Sequence, residues 1–358
     1  MSHSEVNIGA GAVRAGFRFD EAALHCWMVA NVPSYSGPLT VEQFKGGQSN
    51  PTYRLTTPRH SYVLRRKPPG PLLKGAHAVE REARAIAALR TTGFPVPRVH
   101  GLCMDEAVIG TAFYVMDMVE GRIFWDATLP ELAADERPAY FDAMNAAIAR
   151  LHTVDYTAAG LGDYGKPGNY FRRQIARWTR QYLDAPEAGR DLHLDRLIEW
   201  LPDNIPPGEE SSVIHGDFRI DNLIFHPVEP RVVAVLDWEL STLGHPGADF
   251  AYHAMMYRMP PHIVAGLGGA DLAALNIPGE ADYVATYCAR TGRAALPDYG
   301  FYVAFNFFRL AAIFHGIKSR VVRGNAASAQ AVERVRVLPE LAAIAWQQAE
   351  KAQAGVVN

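Results

Sequence analysis

A cluster of polar side chains lies between two apolar, strand-like segments in the stretch VIHGDFRIDNLIF, residues 213 to 225. Its polar members are His215, Asp217, Arg219, Asp221 and Asn222. One interpretation is the polar turn of a β-hairpin. The other is a site in which oxygen ligands hold a metal ion next to a reacting hydroxyl group. The position of a further acidic residue favours the second interpretation.

That further residue is Asp237, which follows Asn222 by fifteen positions, directly after the apolar segment VVAVL. Magnesium takes oxygen ligands, commonly one or two carboxylates together with phosphate oxygens of a substrate. Asn222 and Asp237 can supply such oxygens from two chain segments, so we predict that they bind Mg²⁺. Asp217, five positions before Asn222, then remains available to accept a proton from an attacking hydroxyl group or to orient it.

The same order of residues occurs in the catalytic loop of kinases, His-x-Asp-x-x-x-x-Asn followed by a metal-binding Asp. The segments HGDFRIDNLIF and VLDWE resemble those of the aminoglycoside phosphotransferase-like enzymes, and the resemblance extends from FKGGQSNPTY to FRLAAIFHGIKSR. It implies a protein-kinase-like fold, ATP and Mg²⁺ as cofactors, and transfer of the γ-phosphoryl group to an acceptor hydroxyl. His215 is then expected to hold the catalytic loop in place, and Asp221 either assists the metal or caps a turn.

The segment FKGGQSNPTY has the pattern strand, glycine-rich turn, strand. Gly46 and Gly47 permit a close approach of the backbone, and backbone N–H groups together with the Ser49 hydroxyl can hold phosphate oxygens. We include Asn50 in this predicted nucleotide-binding loop, although a plain hairpin turn has the same pattern. The chain has no GxxxxGK[ST] motif, which excludes a Walker-type loop. In the resembled family the equivalent loop covers the phosphates.

The segment YVLRRK carries the position at which the resembled family has a lysine that pairs with the phosphates and with a helix glutamate. That position is Arg65 here, and an arginine keeps the charge and can bind two oxygens at once. Strand alternation puts Lys67 on the same face, as the second choice, and Arg66 on the opposite face, where we expect it to be solvated. The helix glutamate is best matched by Glu82, with Glu80 as the alternative.

The connector YVMDMVEG, residues 114 to 121, matches the hinge of the resembled family, whose backbone groups contact the adenine edge. We therefore expect Met116 and Met118 beside the base, although both also suit a hydrophobic core. Such backbone contacts do not distinguish ATP from GTP. Asp249 in HPGADFAYH resembles a family residue that braces the catalytic loop from the start of a helix.

Short strands separated by Gly, Pro and Asn, with one clear helix, precede a mostly helical remainder of the chain. The pattern predicts an α+β protein with a small antiparallel β-sheet lobe plus one helix and a large, mostly helical lobe. The resemblance identifies this as the protein-kinase-like two-lobe fold. We predict an N-terminal nucleotide-binding lobe over residues 1–119, of which 1–19 form a flexible arm, and a C-terminal lobe over residues 120–358 with the catalytic loop and acceptor pocket.

The composition is that of an ordinary globular protein, with 49% hydrophobic residues, 20% charged residues and a formal net charge of −3. Without a basic excess, we expect neither nucleic acid nor a membrane as partner. The apolar segment 299–317 contains Asn306, Arg309 and His315, so we expect a buried core helix. Three widely spaced cysteines and an N-terminus without an apolar segment predict buried free thiols, no signal peptide and a cytoplasmic protein.

The acceptor is expected to be a small molecule. From residue 240 onward, ten basic residues outnumber eight acidic ones, which argues mildly against a polycation and for an anionic or neutral acceptor. The segments YVLRRKPPG and LDWELSTLGHPGADFAYH most resemble the branch that includes the phosphotransferase domain fused to certain acyl-CoA dehydrogenases. This implies a hydroxyacyl or hydroxyacyl-CoA acceptor, whose carboxylate or CoA phosphate could meet basic residues near the end of the long apolar helix: Arg309, Lys318, Arg320 and Arg323.

We therefore predict an ATP-dependent small-molecule kinase with Asp217 as its catalytic residue. The alternative is a nucleotide-binding pseudokinase or regulatory module, which the replacement of the usual lysine by Arg65 supports. An aminoglycoside or amino-alcohol kinase ranks third. A protein kinase is disfavoured because no Ala-Pro-Glu motif follows Asp237. The pattern predicts no particular oligomeric state.

Overall fold

The structure, a computed structural model, describes residues 9–45, 50–70, 77–324 and 329–355. The chain divides into two compact units. Unit 1 comprises Met1–Trp125, Thr157–Leu161 and Asp221–Ser241, and unit 2 comprises Asp126–Tyr156, Gly162–Ile220 and Thr242–Asn358. This division differs from the two continuous segments predicted with a boundary after residue 119, because the segment that carries Asn222 and Asp237 belongs to unit 1.

Unit 1 contains a six-stranded antiparallel sheet with the strand order β1-β2-β3-β4-β6-β5. Its strands are β1 (Ala10–Gly11), β2 (Thr40–Phe44), β3 (Thr52–Thr56), β4 (Ser61–Arg66), β5 (Val99–Cys103) and β6 (Phe113–Asp117). Strands β2 to β6 lie where β-forming residues and turn signals predicted them. Strand β1 is a correction: part of the expected flexible arm, residues 1–19, pairs instead with β2.

Helix α1 (Glu21–Asn31) contributes to the hydrophobic core of this sheet. It begins after Asp20, whose Oδ1 accepts hydrogen bonds of 2.9 Å from two backbone N–H groups of the first turn. A side-chain cap of this kind is worth about 1 kcal/mol. Leu24 and Met28, four residues apart on one helix face, are fully buried with alternating residues of three strands: Tyr53, Leu55, Tyr62, Leu64, Phe113 and Val115.

One further helix and one hairpin complete the part of unit 1 used below: α2 (Val79–Thr91), β8 (Leu223–Phe225) and β9 (Val232–Val235). Strands β8 and β9 are antiparallel, with Leu223 opposite Val235. The ladder continues by one bond, because the backbone N–H of Leu236 donates to Asn222 O at 2.8 Å. Asn222 and Asp237 therefore flank the same end of the hairpin.

Gly121 packs closely against this hairpin. A Cβ atom on it would lie 2.2 Å from Phe225 O and 2.4 Å from Ile224 Cγ2, and Arg122 and Phe225 exchange two backbone hydrogen bonds of 2.8 Å. We expect Gly121→Ala to lower the free energy of unfolding by about 1–3 kcal/mol, the usual cost of overpacking. Urea denaturation measures this.

The matched control is Gly11→Ala, because a Cβ on Gly11 meets no atom within 4 Å. That change is expected to stay within about 0.5 kcal/mol of wild type. Equal effects of the two substitutions would contradict the close contact between Gly121 and the hairpin.

Unit 2 is mostly helical, as predicted. Its helices are α3 (Arg137–His152), α4 (Tyr170–Leu183), α5 (Leu192–Asp203), α6 (Pro246–Ala254), α7 (Leu272–Leu275), α8 (Glu280–Arg290), α9 (Tyr299–Val322) and α10 (Ala329–Gln353). Strands β7 (Ser212–Ile214) and β10 (Thr242–Gly244) form a separate antiparallel pair. The sheet-containing unit and the helical unit confirm the predicted α+β fold class.

Helix α9 packs against α4, α6 and α10. It is long and apolar enough to cross a membrane by length and composition alone, and 83% of its most apolar window is buried inside the protein, as predicted for a core helix. Two of its buried polar residues have hydrogen-bond partners within unit 2. Asn306 donates to Ala248 O at 2.8 Å, and His315 Nε2 lies 2.8 Å from Gly189 O.

The buried histidine His253 of α6 makes stability depend on pH. Its Nε2 lies 2.7 Å from the Tyr283 hydroxyl, and burial lowers the pKa of His253 from 6.5 to about 4. Between these pH values the unfolded chain binds a proton that the folded chain does not. Stability is thus unaffected above this window and falls as the pH drops through it. We expect His253 to account for about 2 kcal/mol of the loss between pH 7 and pH 5.

Urea denaturation of wild type and His253→Gln at both pH values measures this contribution, because the variant lacks the titrating group. An identical pH dependence of the two proteins would contradict it.

The three cysteines are free. The prediction of buried thiols is confirmed for Cys103 and Cys288 and is wrong for Cys26, which is exposed on α1. Helical spacing explains the difference, since Leu24 and Met28 take the buried positions of that helix.

Candidate active site

In unit 1, three carboxylates converge on the guanidinium group of Arg65. Its Nε lies 2.8 Å from Glu82 Oε2, its Nη2 donates to Asp237 Oδ1 at 2.6 Å, and Nη2 is 3.5 Å from Glu239 Oε2. Burial alone lowers the pKa of Arg65, but Asp237 and Glu82 outweigh it and raise that pKa above its ordinary value. Arg65 is therefore a permanent cation that links strand β4, helix α2 and the end of strand β9.

Glu82 is held in place by two further side chains. Asn50 Nδ2 donates to its Oε1 at 2.7 Å, and the Tyr114 hydroxyl donates to its Oε2 at 3.2 Å. Burial raises the pKa of Glu82 to about 7, although Arg65 opposes this shift. Asn50, predicted to contact the nucleotide, is itself fully buried. In this conformation its side chain supports Glu82 instead.

The alternatives to Arg65 and Glu82 pair with each other. Lys67 Nζ lies 3.1 Å from Glu80 Oε2, so the structure joins Arg65 with Glu82 and Lys67 with Glu80. Arg66 is on the opposite face of β4, as alternation predicted, but its expected exposure to solvent is wrong. It is 2% exposed, and its guanidinium carbon lies 5.3 Å from the centre of the Phe19 ring.

Asn222 and Asp237, the predicted magnesium ligands, offer an amide oxygen and a carboxylate at one end of the β8–β9 hairpin. The Asp237 side chain is 32% exposed. Its backbone is left-handed, with φ +64°, a conformation that aspartate tolerates better than most residues. Oxygen donors of this kind are what Mg²⁺ prefers, so the residues fit that ion by their chemistry.

The remaining predicted nucleotide contacts lie in the loop and the connector. Gly46, Gly47 and Ser49 fall outside the described residues. Met116 is 7% exposed in β6, opposite Val63 of β4. The backbone N–H of Met118 donates to Ser61 O at 3.2 Å. The Met116 side chain is therefore a core residue in this structure, as the alternative interpretation allowed.

In unit 2, the buried carboxylate of Asp249 holds the backbone of the predicted catalytic loop. Its Oδ2 accepts from His215 N and its Oδ1 from Gly216 N, both at 2.8 Å. His152 Nε2 lies 3.1 Å from Oδ2. Burial raises the pKa of Asp249, but His152 and His215 together more than offset this and lower it. Asp249 therefore contacts the catalytic loop as expected of the residue that braces it.

The loop is fixed from two more sides. His215 is fully buried, and its Nδ1 accepts a hydrogen bond of 3.2 Å from Asp217 N. Arg309 Nη2 donates to Gly216 O at 2.7 Å. Gly216 has φ +82°, which favours glycine. His215 thus contacts the loop as expected, whereas Arg309 is a loop contact rather than a residue available to the acceptor.

The carboxylate of Asp217 is 22% exposed and meets two side chains. The Tyr252 hydroxyl donates to its Oδ1 at 2.5 Å, and Arg219 Nε lies 3.3 Å from the same atom. Burial raises the pKa of Tyr252 above its ordinary value, so the hydroxyl remains a donor. Sequence reasoning missed Tyr252, although it follows Asp249 by three positions on the same helix, a spacing that shares one face.

Arg334 interacts electrostatically with Asp217 and with two further arginines. Although Arg334 is exposed, partial desolvation by its neighbours lowers its pKa, the charges of Arg219 and Arg320 add to that shift, and Asp217 opposes it. Within the described ranges, no ion pair involves Arg320 or Arg334. Arg323, predicted to meet the acceptor, is instead paired with Glu187, whose Oε1 is 2.7 Å from its Nε.

Comparisons with known proteins agree with this chemistry. A sequence profile described as the phosphotransferase enzyme family matches residues 40–295. Acyl-CoA dehydrogenase family member 10 of Mus musculus is 43% identical over 342 residues, which cover 95% of this chain and 32% of that protein. The chain therefore spans about a third of that relative's length.

Solved structures show the same fold. A chain from Ralstonia eutropha JMP134, provisionally described as an aminoglycoside phosphotransferase, is 52% identical with a TM-score of 0.86, and the match covers 93% of this chain and 99% of that one. Aminoglycoside phosphotransferase APH(4)-Ia in complex with ADP and hygromycin B is 12% identical with a TM-score of 0.59, covering 90% and 97%. At that identity the likeness concerns the fold alone. These matches confirm the predicted resemblance and the protein-kinase-like two-lobe fold.

Proposed function

We propose that this chain, which belongs to the phosphotransferase enzyme family, transfers the γ-phosphoryl group of ATP to the hydroxyl group of a small molecule. The family and the fold indicate a phosphotransferase with an alcohol group as acceptor. The observation that carries the residue assignment is the Arg65–Glu82–Asp237 network. It joins the phosphate-pairing position of β4 to the candidate metal ligand.

The proposed roles follow from charge and position. Asn222 and Asp237 would hold Mg²⁺, which would neutralise phosphate charge. Arg65, aligned by Glu82, places a permanent positive charge at the phosphates. Asp217 orients the acceptor hydroxyl and accepts its proton, and Tyr252 fixes the carboxylate that does so. Little covalent chemistry is required of the protein, since positioning and charge stabilisation dominate phosphoryl transfer.

For the acceptor, we propose an anionic hydroxyacyl compound or its CoA ester. Two observations support this class. The mouse relative is named an acyl-CoA dehydrogenase family member. Arg334 lies near enough to Arg219, Arg320 and Asp217 to interact with their charges, and Arg219 contacts Asp217 at 3.3 Å. A polycation such as an aminoglycoside would meet like charges at these arginines.

A transfer assay with Mg-ATP tests the proposal against hydroxyacyl-CoAs, free hydroxy acids, amino alcohols and aminoglycosides, with Asp217→Ala as the inactive control. Phosphorylation of the anionic acceptors alone is the expected result. Transfer to aminoglycosides but not to hydroxy acids would contradict the acceptor class. Nucleotide binding without transfer to any acceptor would favour the pseudokinase alternative.

Arg334→Ala tests the acceptor class directly. Removal of this charge is expected to raise KM for an anionic acceptor about 10-fold and to leave KM for ATP unchanged, since a charge-assisted contact is worth about 1.5–3 kcal/mol. Steady-state kinetics on both substrates measures it. The control is Arg336→Ala on the same helix, because Arg336 is exposed like Arg334 but is paired with Glu333 at 3.1 Å. Equal effects of the two substitutions on KM would show that Arg334 does not contact the acceptor.

A further inference from the structure

Two histidines and an aspartate meet at one end of the unit 1 sheet. His60 lies in the turn before β4, His100 in β5, and Asp117 is the last residue of β6. His100 Nε2 is 2.5 Å and His60 Nε2 is 3.4 Å from Asp117 Oδ1. The three ligand atoms all lie within 4.8 Å of one another. None of these residues is used by the proposed phosphoryl transfer.

The cluster is held in place by its surroundings. Thr57 Oγ1 accepts from His60 N at 3.0 Å and donates to His60 O at 2.9 Å, which fixes the backbone of the turn. The ring of Tyr62 lies against both imidazoles, with centroid distances of 4.8 Å to His60 and 5.2 Å to His100. Tyr62 is also the cross-strand partner of Asp117. The three candidate ligands are therefore already close together before any ion binds.

We propose that His60, His100 and Asp117 bind a divalent transition-metal ion, best represented by Zn²⁺. Two imidazole nitrogens and one carboxylate form a common donor set of zinc, whereas hard Mg²⁺ prefers oxygen ligands. Zinc bonds of about 2.0–2.1 Å at tetrahedral angles separate ligand atoms by roughly 3.4 Å. The distance from His60 Nε2 to Asp117 Oδ1 already has this value.

The other ligand pair requires a small adjustment. The hydrogen bond of 2.5 Å between His100 and Asp117 must open by roughly 1 Å to reach the tetrahedral separation. The His100 ring must then change tautomer: Nε2 gives up its proton to solvent, Nδ1 carries one, and the neutral imidazole binds the metal through the Nε2 lone pair. Burial raises the pKa of Asp117, but His100 and His60 together lower it overall. The His60 side chain is 45% exposed, which gives an ion access and leaves the fourth position to water.

Titration of the untagged full chain with Zn²⁺, in the presence of saturating Mg²⁺, tests the site. Excess magnesium competes for the proposed oxygen ligands Asn222 and Asp237, and the histidine variants below identify the zinc that binds at the cluster. One Zn²⁺ per chain is expected, with a rise in the midpoint of thermal unfolding. Co²⁺ in place of Zn²⁺ is expected to give the visible spectrum of a tetrahedral nitrogen- and oxygen-liganded ion.

Separate His60→Ala and His100→Ala variants are each expected to weaken zinc binding at least about 10-fold. His60→Ala changes a half-exposed turn residue, so we expect this variant to fold. It therefore tests the site even if His100→Ala, which removes a buried side chain, fails to fold. The matched control is His226→Ala, because His226 lies 3.9 Å from Glu229 but belongs to no three-ligand group among the described residues. Unchanged zinc affinity in His60→Ala would overturn the proposal. The absence of zinc binding by wild type would also overturn the proposal. The three residues would then form a hydrogen-bonded His–Asp–His cluster without a metal-binding role. Neither result would bear on phosphoryl transfer.

Discussion

Replacement of Asp217 by asparagine is expected to lower kcat by about 10²–10⁴-fold, the range that a positioned acid–base group contributes. Asparagine has nearly the same shape and can still accept the hydrogen bond from Tyr252. It carries no negative charge, however, and cannot accept the proton of the acceptor hydroxyl. The loss should therefore appear in kcat, with KM for ATP and the thermal unfolding midpoint close to those of wild type.

The control for this prediction is Asp221→Asn, four positions further along the same loop. If Asp221 only caps a turn, its loss should reduce kcat far less than the loss of Asp217. Steady-state transfer rates at saturating Mg-ATP compare the two. A rate for Asp217→Asn within a few-fold of wild type, or an Asp221→Asn variant that is just as slow, would show that the wrong carboxylate has been assigned.

Replacement of Arg65 by methionine is expected to lower the free energy of unfolding by about 3–5 kcal/mol, because it leaves a buried carboxylate without its cation. Glu82 is 1% exposed, so water cannot take over from the guanidinium. The same change should abolish tight ATP binding, since the charge proposed to face the phosphates is gone. Urea denaturation and nucleotide titration measure the two effects separately.

Arg54→Met provides the surface control in the adjacent strand. Arg54 pairs with Glu42 at 2.5 Å, but both side chains are about a third exposed, and exposed pairs contribute about 1 kcal/mol or less. A double variant, Arg65→Met with Glu82→Leu, should recover much of the lost stability while remaining inactive. A single Arg65→Met variant as stable as Arg54→Met would contradict the buried ion pair.

Features set by local spacing could be predicted from the sequence. The order Asp217, Asn222 and Asp237 and the presence of strands β2 to β6 each depend on neighbouring residues or on a short period. The pairing of Arg65 with Glu82 could be inferred because the family resemblance supplied a contact that the local pattern lacks.

Contacts between distant chain positions could not be predicted in this way. Tyr252 reaches Asp217 across 35 positions and Asn50 reaches Glu82 across 32, and no sequence period connects either pair. The burial of Arg66 has the same origin. Strand alternation placed it correctly on the face opposite Arg65, but only tertiary structure shows that Phe19 covers that face.

The discontinuity of unit 1 has a consequence for how such chains can exchange segments. A crossover near residue 125 between two relatives would transfer Arg65 and Glu82 but would leave Asp237 to the other parent, since Asp221–Ser241 returns to unit 1 from much later in the chain. In such a hybrid protein, the residues of the ion-pair network would come from two different parents. We expect active recombinants to be those in which both parents share these three residues, or in which two crossovers carry the hairpin along with the sheet.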